Sequence, residues 1–331
     1  MSKKDNTCLL TREGLRRLFI IDKKPVKGLL LFEKVVIAYA VVTTVLTLFL
    51  YTKLDNPVEI LMARVRFLAM TLAMWAVYRM VPCRLILGLR GIVQLALLGL
   101  WYPETYEFNK LFPNLDYIFA SWEQDIFGCQ PALLFSKALP SPVISELFDM
   151  GYGSYYFMIG FTALFYFAVR YKEFERATFV ILCSFFVYYI IYIFVPVVGP
   201  TYYYHAIGLQ TAAQGVFPNV HDYFLTHSQS LPSPGYTDGI FYQFVESAKA
   251  AGERPTAAFP SSHVGISTIC MLLAWHSRNR KLFFIYLPFY LFLCCATVYI
   301  QAHYLIDAIA GLITGVAFYF LTMWLSRRTI Q

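Results

Sequence analysis

Two short segments, Phe-Pro-Ser-Ser-His at 259–263 and Ala-His-Tyr-Leu-Ile-Asp at 302–307, decide how this chain is arranged. The residues between them form two apolar runs, Ile266–Trp275 and Leu282–Ile300, which the polar segment 277–281 separates. If each run crosses a membrane once, the chain crosses at the first run and returns at the second. The pattern therefore predicts that both quoted segments lie at the same membrane surface.

Three side chains of these segments are candidates for joint catalysis. The two crossings bring His263 and His303 to one side of the membrane, although they are far apart in sequence. His303 and Asp307 are four residues apart, and residues with this spacing share one face of a helix. The sequence thus predicts a cluster of two histidines and one carboxylate.

Composition places the chain in a membrane. Of the 331 residues, 58% are hydrophobic and 14% are charged, whereas about 25% of the residues in a soluble domain are charged. The aromatic content of 18% fits interfacial belts of Tyr and Trp. A net charge of +7 would suggest a nucleic-acid partner for a soluble chain, but here we expect none, because the distribution of the charge matters more than its total.

The apolar runs predict an all-α, polytopic membrane protein with about eight transmembrane helices, each needing roughly 20 apolar residues. Arg64 and Arg66 indicate that the second helix begins at the interface, and Arg90 indicates that the third is effectively shorter. The predicted spans are Leu31–Tyr51, Leu61–Val81, Leu85–Tyr102, Val143–Val169, Ala177–Pro196, Ala258–His276, Leu282–Gln301 and Tyr304–Leu325.

The spans divide the chain into five predicted regions. A basic cytoplasmic tail, 1–30, precedes the N-terminal transmembrane helices, 31–102. An outer loop, 103–142, is predicted to contain an amphipathic helix that lies on the membrane surface. The catalytic membrane core, 143–325, comes before a short cytoplasmic tail, 326–331.

Two features of the core refine this picture. Small residues near Gly151 predict a close contact between helices. The longest polar stretch, Thr201–Ala257, is rich in Tyr, Gly, Pro and Ser and is long enough to cover a site. Its histidines are expected to be solvated loop residues, and Lys249 is expected to be a solvated charge.

Basic residues are distributed unequally between the predicted loops. With the N-terminus inside, 20 of the 27 Lys and Arg residues fall on the inner side and seven on the outer side. Cytoplasmic segments carry such an excess of Lys and Arg. The sequence therefore predicts cytoplasmic termini and an outward-facing site, toward a periplasm or an organelle lumen.

The segment around the first histidine is suited to bind an anion. Pro260, Ser261 and Ser262 predict a helix start, because Pro fits the first turn and Ser caps well. Free backbone N–H groups at such an end bind anions, and phosphate is the obvious anion at a membrane surface. Arg254 can add a bidentate clamp. Arg254, Ser261 and Ser262 are therefore predicted phosphate ligands.

The cluster itself fits phosphoryl transfer through a covalent intermediate. His303 is the predicted nucleophile, and Asp307 is predicted to orient it and to stabilise the imidazolium. His263 is the predicted general acid for the leaving oxygen. Because a phosphohistidine route needs no metal, we expect neither a metal nor a cofactor.

The same residue types also occur in other kinds of functional site. His263, His303 and Asp307 could ligate zinc, but their spacing is not that of a metal motif. A serine hydrolase using Ser261 or Ser262 would need an elbow such as Gly-x-Ser-x-Gly, which is absent. Ionisable groups near membrane spans can form a transporter relay, although here they lie at helix ends. A non-catalytic lipid carrier or transporter therefore stays an alternative.

The motifs resemble those of the type 2 phosphatidic acid phosphatase (PAP2) superfamily. Its usual motifs are Lys-x6-Arg-Pro, Pro-Ser-Gly-His and Ser-Arg-x5-His-x3-Asp, and residues 260–263 match the second with Ser for Gly. His303 and Asp307 match the core of the third. The resemblance implies a PAP2-like helical core in which His263 is the general acid, His303 attacks phosphorus and Asp307 supports it.

The chain departs from the first and third of these motifs. Arg254-Pro255 ends the first motif, but Ser247 stands at the position of its lysine. Ala296-Thr297 replaces the Ser-Arg of the third motif. The chain looks more like the inositol phosphorylceramide synthases, the aureobasidin-resistance branch, in Phe259-Pro260-Ser261-Ser262-His263, in Ala296-Thr297-x-Tyr299-x3-His303-Tyr304-x2-Asp307 and in Val195-Pro196-x2-Gly199-Pro200.

The resemblance implies a membrane lipid phosphotransferase. Its expected partners are a phospholipid donor of a phosphoinositol-like head group and a ceramide-like lipid alcohol as acceptor. A lipid phosphate phosphatase, acting on phosphatidic acid or a polyprenyl phosphate, is the alternative that uses the same residues with water as acceptor.

Overall fold

The described part of the chain is helical throughout. A computed structural model describes residues 12–329, and within this range the backbone forms no strand beyond one isolated bridge between Ile21 and Cys83. The first eleven residues of the predicted basic tail lie outside the described residues, as do the last two of the chain. The prediction of an all-α, multi-pass membrane protein is confirmed.

Seven of the described helices are long and apolar enough to cross a membrane. The fifth of them is preceded by a short 3-10 turn, Tyr171–Glu173. The seven are α2 (Leu31–Phe49), α3 (Pro57–Met80), α4 (Arg84–Asn109), α7 (Pro142–Val169), α8 (Phe174–Phe194), α13 (Arg280–Tyr299) and α14 (Leu305–Thr329).

The predicted sixth span differs from the structure. In place of Ala258–His276 the structure has α12, Ser262–His276, with 15 residues. At 1.5 Å per residue this helix is about 22 Å long, shorter than a hydrocarbon core of about 30 Å. The sequence overestimated its length because the apolar residues that precede Ser262 form a loop, in which the Phe259–Pro260 peptide bond is cis. Seven of the eight predicted spans thus correspond to helices that are long and apolar enough to cross a membrane, and the sixth corresponds to this shorter helix.

Shorter helices fill the two segments predicted as loops. Two of them lie in the predicted outer loop, where one surface helix was expected, and three lie within or at the start of the long polar stretch. Together with one helix near the N-terminus they are α1 (Arg12–Arg17), α5 (Asp116–Phe127), α6 (Pro131–Ala138), α9 (Pro200–Ile207), α10 (Leu209–Ala213) and α11 (Ile240–Gly252).

The chain forms two compact units, and each unit combines segments that are distant in sequence. Within the described residues, the first unit comprises 12–101, 160–186 and 319–329, and the second comprises 102–159 and 187–318. The predicted division into N-terminal helices and a catalytic core stays a prediction. All six candidate site residues lie in the second unit.

A buried ion pair in the first unit corrects the prediction for the third span. Arg90 donates from Nε to Glu33 Oε1 at 2.7 Å, and both side chains are fully buried. Because the carboxylate neutralises the guanidinium inside the protein, Arg90 does not shorten the helix, and α4 continues through Pro103 to Asn109. Arg64 is also buried and donates to Thr43 Oγ1 at 2.9 Å.

In the second unit, glycines allow α12 to approach α14 closely. A Cβ atom at Gly315 would lie 2.6 Å from the carbonyl oxygen of Gly265, and one at Gly311 would collide with the carbonyl oxygen of Ser261. Backbone contact also occurs at the helix starts, where Ser261 N–H donates to the carbonyl of Asp307 at 3.0 Å. This packing fixes the first residues of α12 beside those of α14.

The close helix contact predicted near Gly151 is confirmed. A Cβ atom at this position of α7 would lie 2.6 Å from the backbone nitrogen of Leu293 in α13. One turn earlier, Phe148 packs edge-on against Tyr299 with ring centroids 5.0 Å apart. Helix α7 therefore lies directly against the end of α13, close to the residues that lead to His303.

Asp116 fastens the loop before α9 to the segment that carries His303. Its buried carboxylate accepts hydrogen bonds from the backbone N–H groups of Val198 and Gly199 at 2.7 and 2.9 Å, and from Tyr304 Oη at 3.1 Å. Asn114 Nδ2 donates a fourth bond at 2.7 Å. Burial raises the pKa of Asp116 to about 6, against the opposing effect of these bonds.

We expect Asp116→Ala to be strongly destabilising. Two buried backbone N–H groups would lose their partners, at a cost of roughly 1–3 kcal/mol each. Thermal unfolding of the purified protein in detergent should show a clear fall in Tm, and Asp116→Asn, which keeps one acceptor oxygen, should fall about half as far. Equal Tm values for wild type and Asp116→Ala would contradict this role.

Candidate active site

The three candidate catalytic residues come together at the starts of α12 and α14. The rings of His263 and His303 are inclined at 62° to each other, with centroids 5.8 Å apart. His303 Nδ1 lies 3.7 Å from Asp307 Oδ2. A reacting phosphorus bound between the two imidazoles would be within reach of both.

One backbone hydrogen bond sets the tautomer of His303. Its Nδ1 lies 2.9 Å from the carbonyl oxygen of Ala258. A carbonyl oxygen can only accept, so Nδ1 carries the proton and Nε2 holds the free lone pair. The side chain is buried, with 4% of its surface exposed. Nε2 is therefore the only ring atom of His303 with a lone pair available to attack an electrophile.

Burial keeps this imidazole neutral. Loss of hydration lowers the pKa of His303 to about 4, although the hydrogen bond to Ala258 and the charge of Glu253 both oppose the shift. A histidine with this pKa is uncharged at neutral pH and needs no base to free its lone pair. Burial thus favours the neutral form of His303, the form that can act as a nucleophile.

This pKa predicts the acid limb of the pH–rate profile. Because His303 is protonated only as the pH falls through about 4, kcat/KM should show no loss from this group between pH 7 and 5, and should fall tenfold per pH unit below about 4. An imidazole with an ordinary pKa would give a limb near 6.5. Initial rates measured in constant ionic strength buffers distinguish the two, and a limb near 6.5 would contradict the assignment to buried His303.

Asp307 is next to His303 without a hydrogen bond to it. The 3.7 Å separation exceeds hydrogen-bond length, and Asp307 Oδ2 instead accepts from the backbone N–H of Tyr304 at 2.9 Å. The orienting bond predicted for Asp307 is made in this structure by the carbonyl of Ala258. Stabilisation of the imidazolium by the nearby carboxylate stays a prediction, as do the other catalytic assignments.

Glu123 is a neighbour of Asp307 that sequence reasoning missed. Its buried Oε2 accepts from the backbone N–H of Ile306 at 3.1 Å, so it caps the start of α14. Burial raises the pKa of Glu123 to about 8, with a further contribution from Asp307. It is therefore protonated at neutral pH. No local signal in residues 122–125 indicates this contact, which joins positions 183 residues apart.

Two tyrosines of α7 hold His263 in place. Its ring stacks on Tyr152 with centroids 4.5 Å apart and contacts Tyr155 at 4.4 Å. The close packing of α7 against α13 positions these tyrosines, so α7 contributes directly to the geometry of the proposed general acid.

The three predicted phosphate ligands differ in their surroundings and in the contacts they make. Ser261 is fully buried, and its Oγ accepts from the backbone N–H of Val264 at 3.4 Å, as an N-cap. Ser262 N–H donates to Tyr192 Oη at 3.0 Å. Arg254 is exposed. The serines thus begin α12 as predicted, while the binding of phosphate by these three residues stays a prediction.

Lys249 is not the solvated charge that was expected. On α11, its Nζ lies 3.2 Å from Glu246 Oε1 and donates to Ser233 Oγ at 2.5 Å, and 12% of its side chain is exposed. It also interacts electrostatically with His263. The amphipathic helix that presents it could not be recognised within a polar stretch rich in turn residues.

Two residues beside the site have a left-handed backbone conformation. Ala257, which precedes the hydrogen-bonding Ala258, has φ of 73°, and Gln301, two residues before His303, has φ of 62°. Such conformations are costly for residues other than Gly, and they cluster at functional sites. Ala257 thus lies next to the hydrogen-bond partner of His303, and Gln301 lies in the segment that carries His303.

The remaining histidines of the polar stretch lie apart from this cluster. His205, His221 and His227 are exposed, as predicted, and His227 stacks on Tyr223. His276 ends α12, about 20 Å along the helix from His263. Among residues 12–329, no group of three or more His, Cys, Asp or Glu side chains is arranged to hold a metal ion.

Comparison with known families agrees with this geometry. The family model described as the PAP2 superfamily matches residues 118–321, more than half of the chain. The chain belongs to the PAP2 superfamily. No curated protein and no solved structure matches it. Membership in the PAP2 superfamily indicates a phosphatase or phosphotransferase that acts on lipid-like substrates, and the matched range contains all of the candidate site residues.

Proposed function

We propose that this PAP2 protein moves a phosphoinositol-like head group from a phospholipid to a ceramide-like lipid alcohol. The proposal rests on the charges around the two histidines. Lys249 interacts with His263 and Glu253 with His303, while Lys249 is paired with Glu246. The surroundings of the histidines are therefore not strongly positive.

This balance favours a phosphodiester over a phosphomonoester. A diester carries one negative charge and a monoester up to two, so nearby carboxylates repel the monoester more strongly. Thr297, at the place of the arginine in the usual third motif, is fully buried and accepts from His303 N–H through its backbone carbonyl at 2.9 Å. Without that arginine, the site suits the less charged substrate.

The first half of the reaction forms a covalent intermediate. His303 Nε2 attacks the phosphorus of the donor phospholipid, and an N–P bond forms as the bond from phosphorus to the diacylglycerol oxygen breaks. His263, whose pKa is lowered by burial, reacts in its protonated form and donates that proton to the departing oxygen. The head-group phosphoryl remains on His303, whose new positive charge lies near Asp307.

The second half transfers the group to the acceptor. His263, now neutral, takes the proton of the ceramide hydroxyl, whose oxygen attacks the phosphohistidine phosphorus. The N–P bond breaks and returns its electron pair to Nε2. One phosphodiester is consumed and one is formed, so the sequence balances without hydrolysis.

We also propose that the site faces a periplasm or an organelle lumen. Arg64, counted on the outer side, and Arg90, counted on the inner side, are both buried within helices. Without these two residues, the inner segments still carry the excess of Lys and Arg. Helix α13 is long enough to cross the membrane and ends just before His303, with the inner-side basic cluster 278–281 at its start. This orientation requires that α12, the 15-residue helix before this cluster, also crosses the membrane.

Acceptor dependence tests the proposed transfer. The purified protein in detergent receives phosphatidylinositol labelled in its head group, with ceramide added or withheld, beside His303→Ala as the inactive control. The proposal expects labelled phosphoinositol on ceramide with wild type alone. Release of phosphate from phosphatidic acid, with no effect of ceramide, would instead establish the phosphatase, and equal inactivity of both proteins would favour a lipid carrier.

A further inference from the structure

An apolar cavity of about 560 Å³ lies in the second unit, among helices α6, α12, α13 and α14. Its volume is within the range of about 300–1,000 Å³ that is usual for small-molecule sites. Its lining side chains are aliphatic or aromatic apart from the thiols of Cys294 and Cys295. Nothing in the proposed chemistry uses this cavity.

Two helices present continuous faces to the cavity. Helix α14 contributes Leu305, Ala308, Ile309 and Leu312, at spacings i, i+3, i+4 and i+7. Such spacings form one stripe along a helix. Helix α6 contributes residues 131, 134, 135 and 138 with the same spacing. The cavity is therefore an elongated space between two helical stripes rather than a gap at a single position.

Residues that neighbour the catalytic cluster in sequence line one end of the cavity. Val264, the residue after His263, lies in its wall. Leu305 and Ala308 are on either side of Asp307 in sequence and line it as well. From there the stripe on α14 continues to Leu312, about 10 Å farther along the helix from Leu305. A molecule in the cavity would extend from the level of the starts of α12 and α14 along α13 and α14, two candidate membrane-spanning helices.

The cavity opens at its far side rather than being sealed. Ile309 and Leu312 are each 44% exposed, and Leu134 of α6 is 48% exposed. Exposed apolar residues on a membrane-spanning helix, such as Ile309 and Leu312 on α14, face hydrocarbon. A chain can therefore enter sideways from the membrane while its polar end remains near the helix starts.

We propose that this space, which we name the tail cavity, holds a hydrocarbon chain of the phospholipid donor while its phosphate reaches His303. The occupant must be apolar because the wall offers no charged partner. One end of the space lies at the helix starts that carry His263 and Asp307, where a polar end can be placed. A phospholipid chain has both properties. The inference rests on the proposed function in that the donor is a phospholipid.

Filling the cavity should discriminate between donors by chain length. Leu312→Trp adds bulk inside the tail cavity, and we expect kcat/KM for dipalmitoyl-phosphatidylinositol to fall at least about tenfold, the effect of small volume changes in apolar pockets. With dihexanoyl-phosphatidylinositol, whose chains are too short to reach Leu312, kcat/KM should stay within about twofold of wild type. Both donors are assayed with the same ceramide acceptor.

Ile313→Trp is the matched control. Ile313 is the next residue on the same helix, is 63% exposed and does not line the cavity. It should leave the chain-length profile unchanged. If Leu312→Trp does not fold, Ala138→Trp on the opposite wall replaces it. An unchanged profile in the cavity variant, equal to that of Ile313→Trp, would overturn the tail cavity.

A second readout does not depend on turnover. His303→Ala is incubated with phosphatidylinositol that carries a photoreactive diazirine near the end of one chain, and labelled peptides are mapped after irradiation. We expect label between residues 294 and 312, and its loss when Leu312→Trp is added. If this region is labelled but the wild type transfers no head group, the proposed function is rejected and the tail cavity is supported. If the wild type transfers the head group but this region is not labelled, the tail cavity is rejected and the proposed function is supported.

Discussion

His303→Ala is expected to reduce kcat/KM by at least about 10³-fold, the usual cost of removing a catalytic nucleophile. The reason is the geometry of a single ring. Nδ1 is committed to the carbonyl of Ala258, Nε2 holds the free lone pair, and burial keeps the imidazole neutral at working pH. Initial rates of head-group transfer, measured with labelled phosphatidylinositol and ceramide, provide the test.

His205→Ala is the control for this variant. His205 is an exposed histidine of the same unit, and its removal should leave the rate within about twofold of wild type. The Tm of His303→Ala should be measured too, because the lost bond to Ala258 has its own energetic effect of roughly 0.5–1.5 kcal/mol. A folded His303→Ala protein with more than a tenth of the wild-type rate would exclude His303 as the nucleophile.

His263→Ala is expected to reduce the rate by about 10²–10⁴-fold with natural donors, as removal of a general acid does. The loss should depend on the leaving group. A donor in which p-nitrophenol replaces diacylglycerol releases a stable anion that needs no proton. With that donor the first half of the reaction should be slowed less than about tenfold, as measured by the burst of p-nitrophenolate.

His263→Phe separates proton donation from packing. The phenyl ring can keep the contacts with Tyr152 and Tyr155, but it has no proton to give. It should be as slow as His263→Ala with phosphatidylinositol and equally rescued by the p-nitrophenyl donor. If neither variant is rescued, the histidine acts in another way, such as by binding the phosphate.

The features that could be predicted from sequence are those encoded by composition and local spacing. The apolar runs predicted membrane helices because a span has a minimum length, and Pro260-Ser261-Ser262 predicted where α12 begins. The return of the chain through α13 predicted the pairing of His263 with His303. The length of α12 was wrong, because hydropathy does not distinguish a buried apolar loop from a helix.

What could not be predicted depends on partners distant in sequence. A charge within an apolar run indicated a shortened helix, yet Glu33 neutralises Arg90 from another helix. The carbonyl of Ala258 that orients His303 carries no side-chain signal at all. Likewise, Glu123 meets the start of α14 only after folding. The sequence showed which groups are reactive but not which groups position them.

The most direct test of the account is to trap the covalent intermediate. Wild-type protein is mixed briefly with phosphatidylinositol labelled at phosphorus, without ceramide, and denatured in alkali, which preserves phosphohistidine. The account predicts label on the peptide that contains His303, its absence in His303→Ala, and its release on a chase with ceramide. Turnover with no label on His303, under conditions in which the second half of the reaction limits the rate, would contradict it.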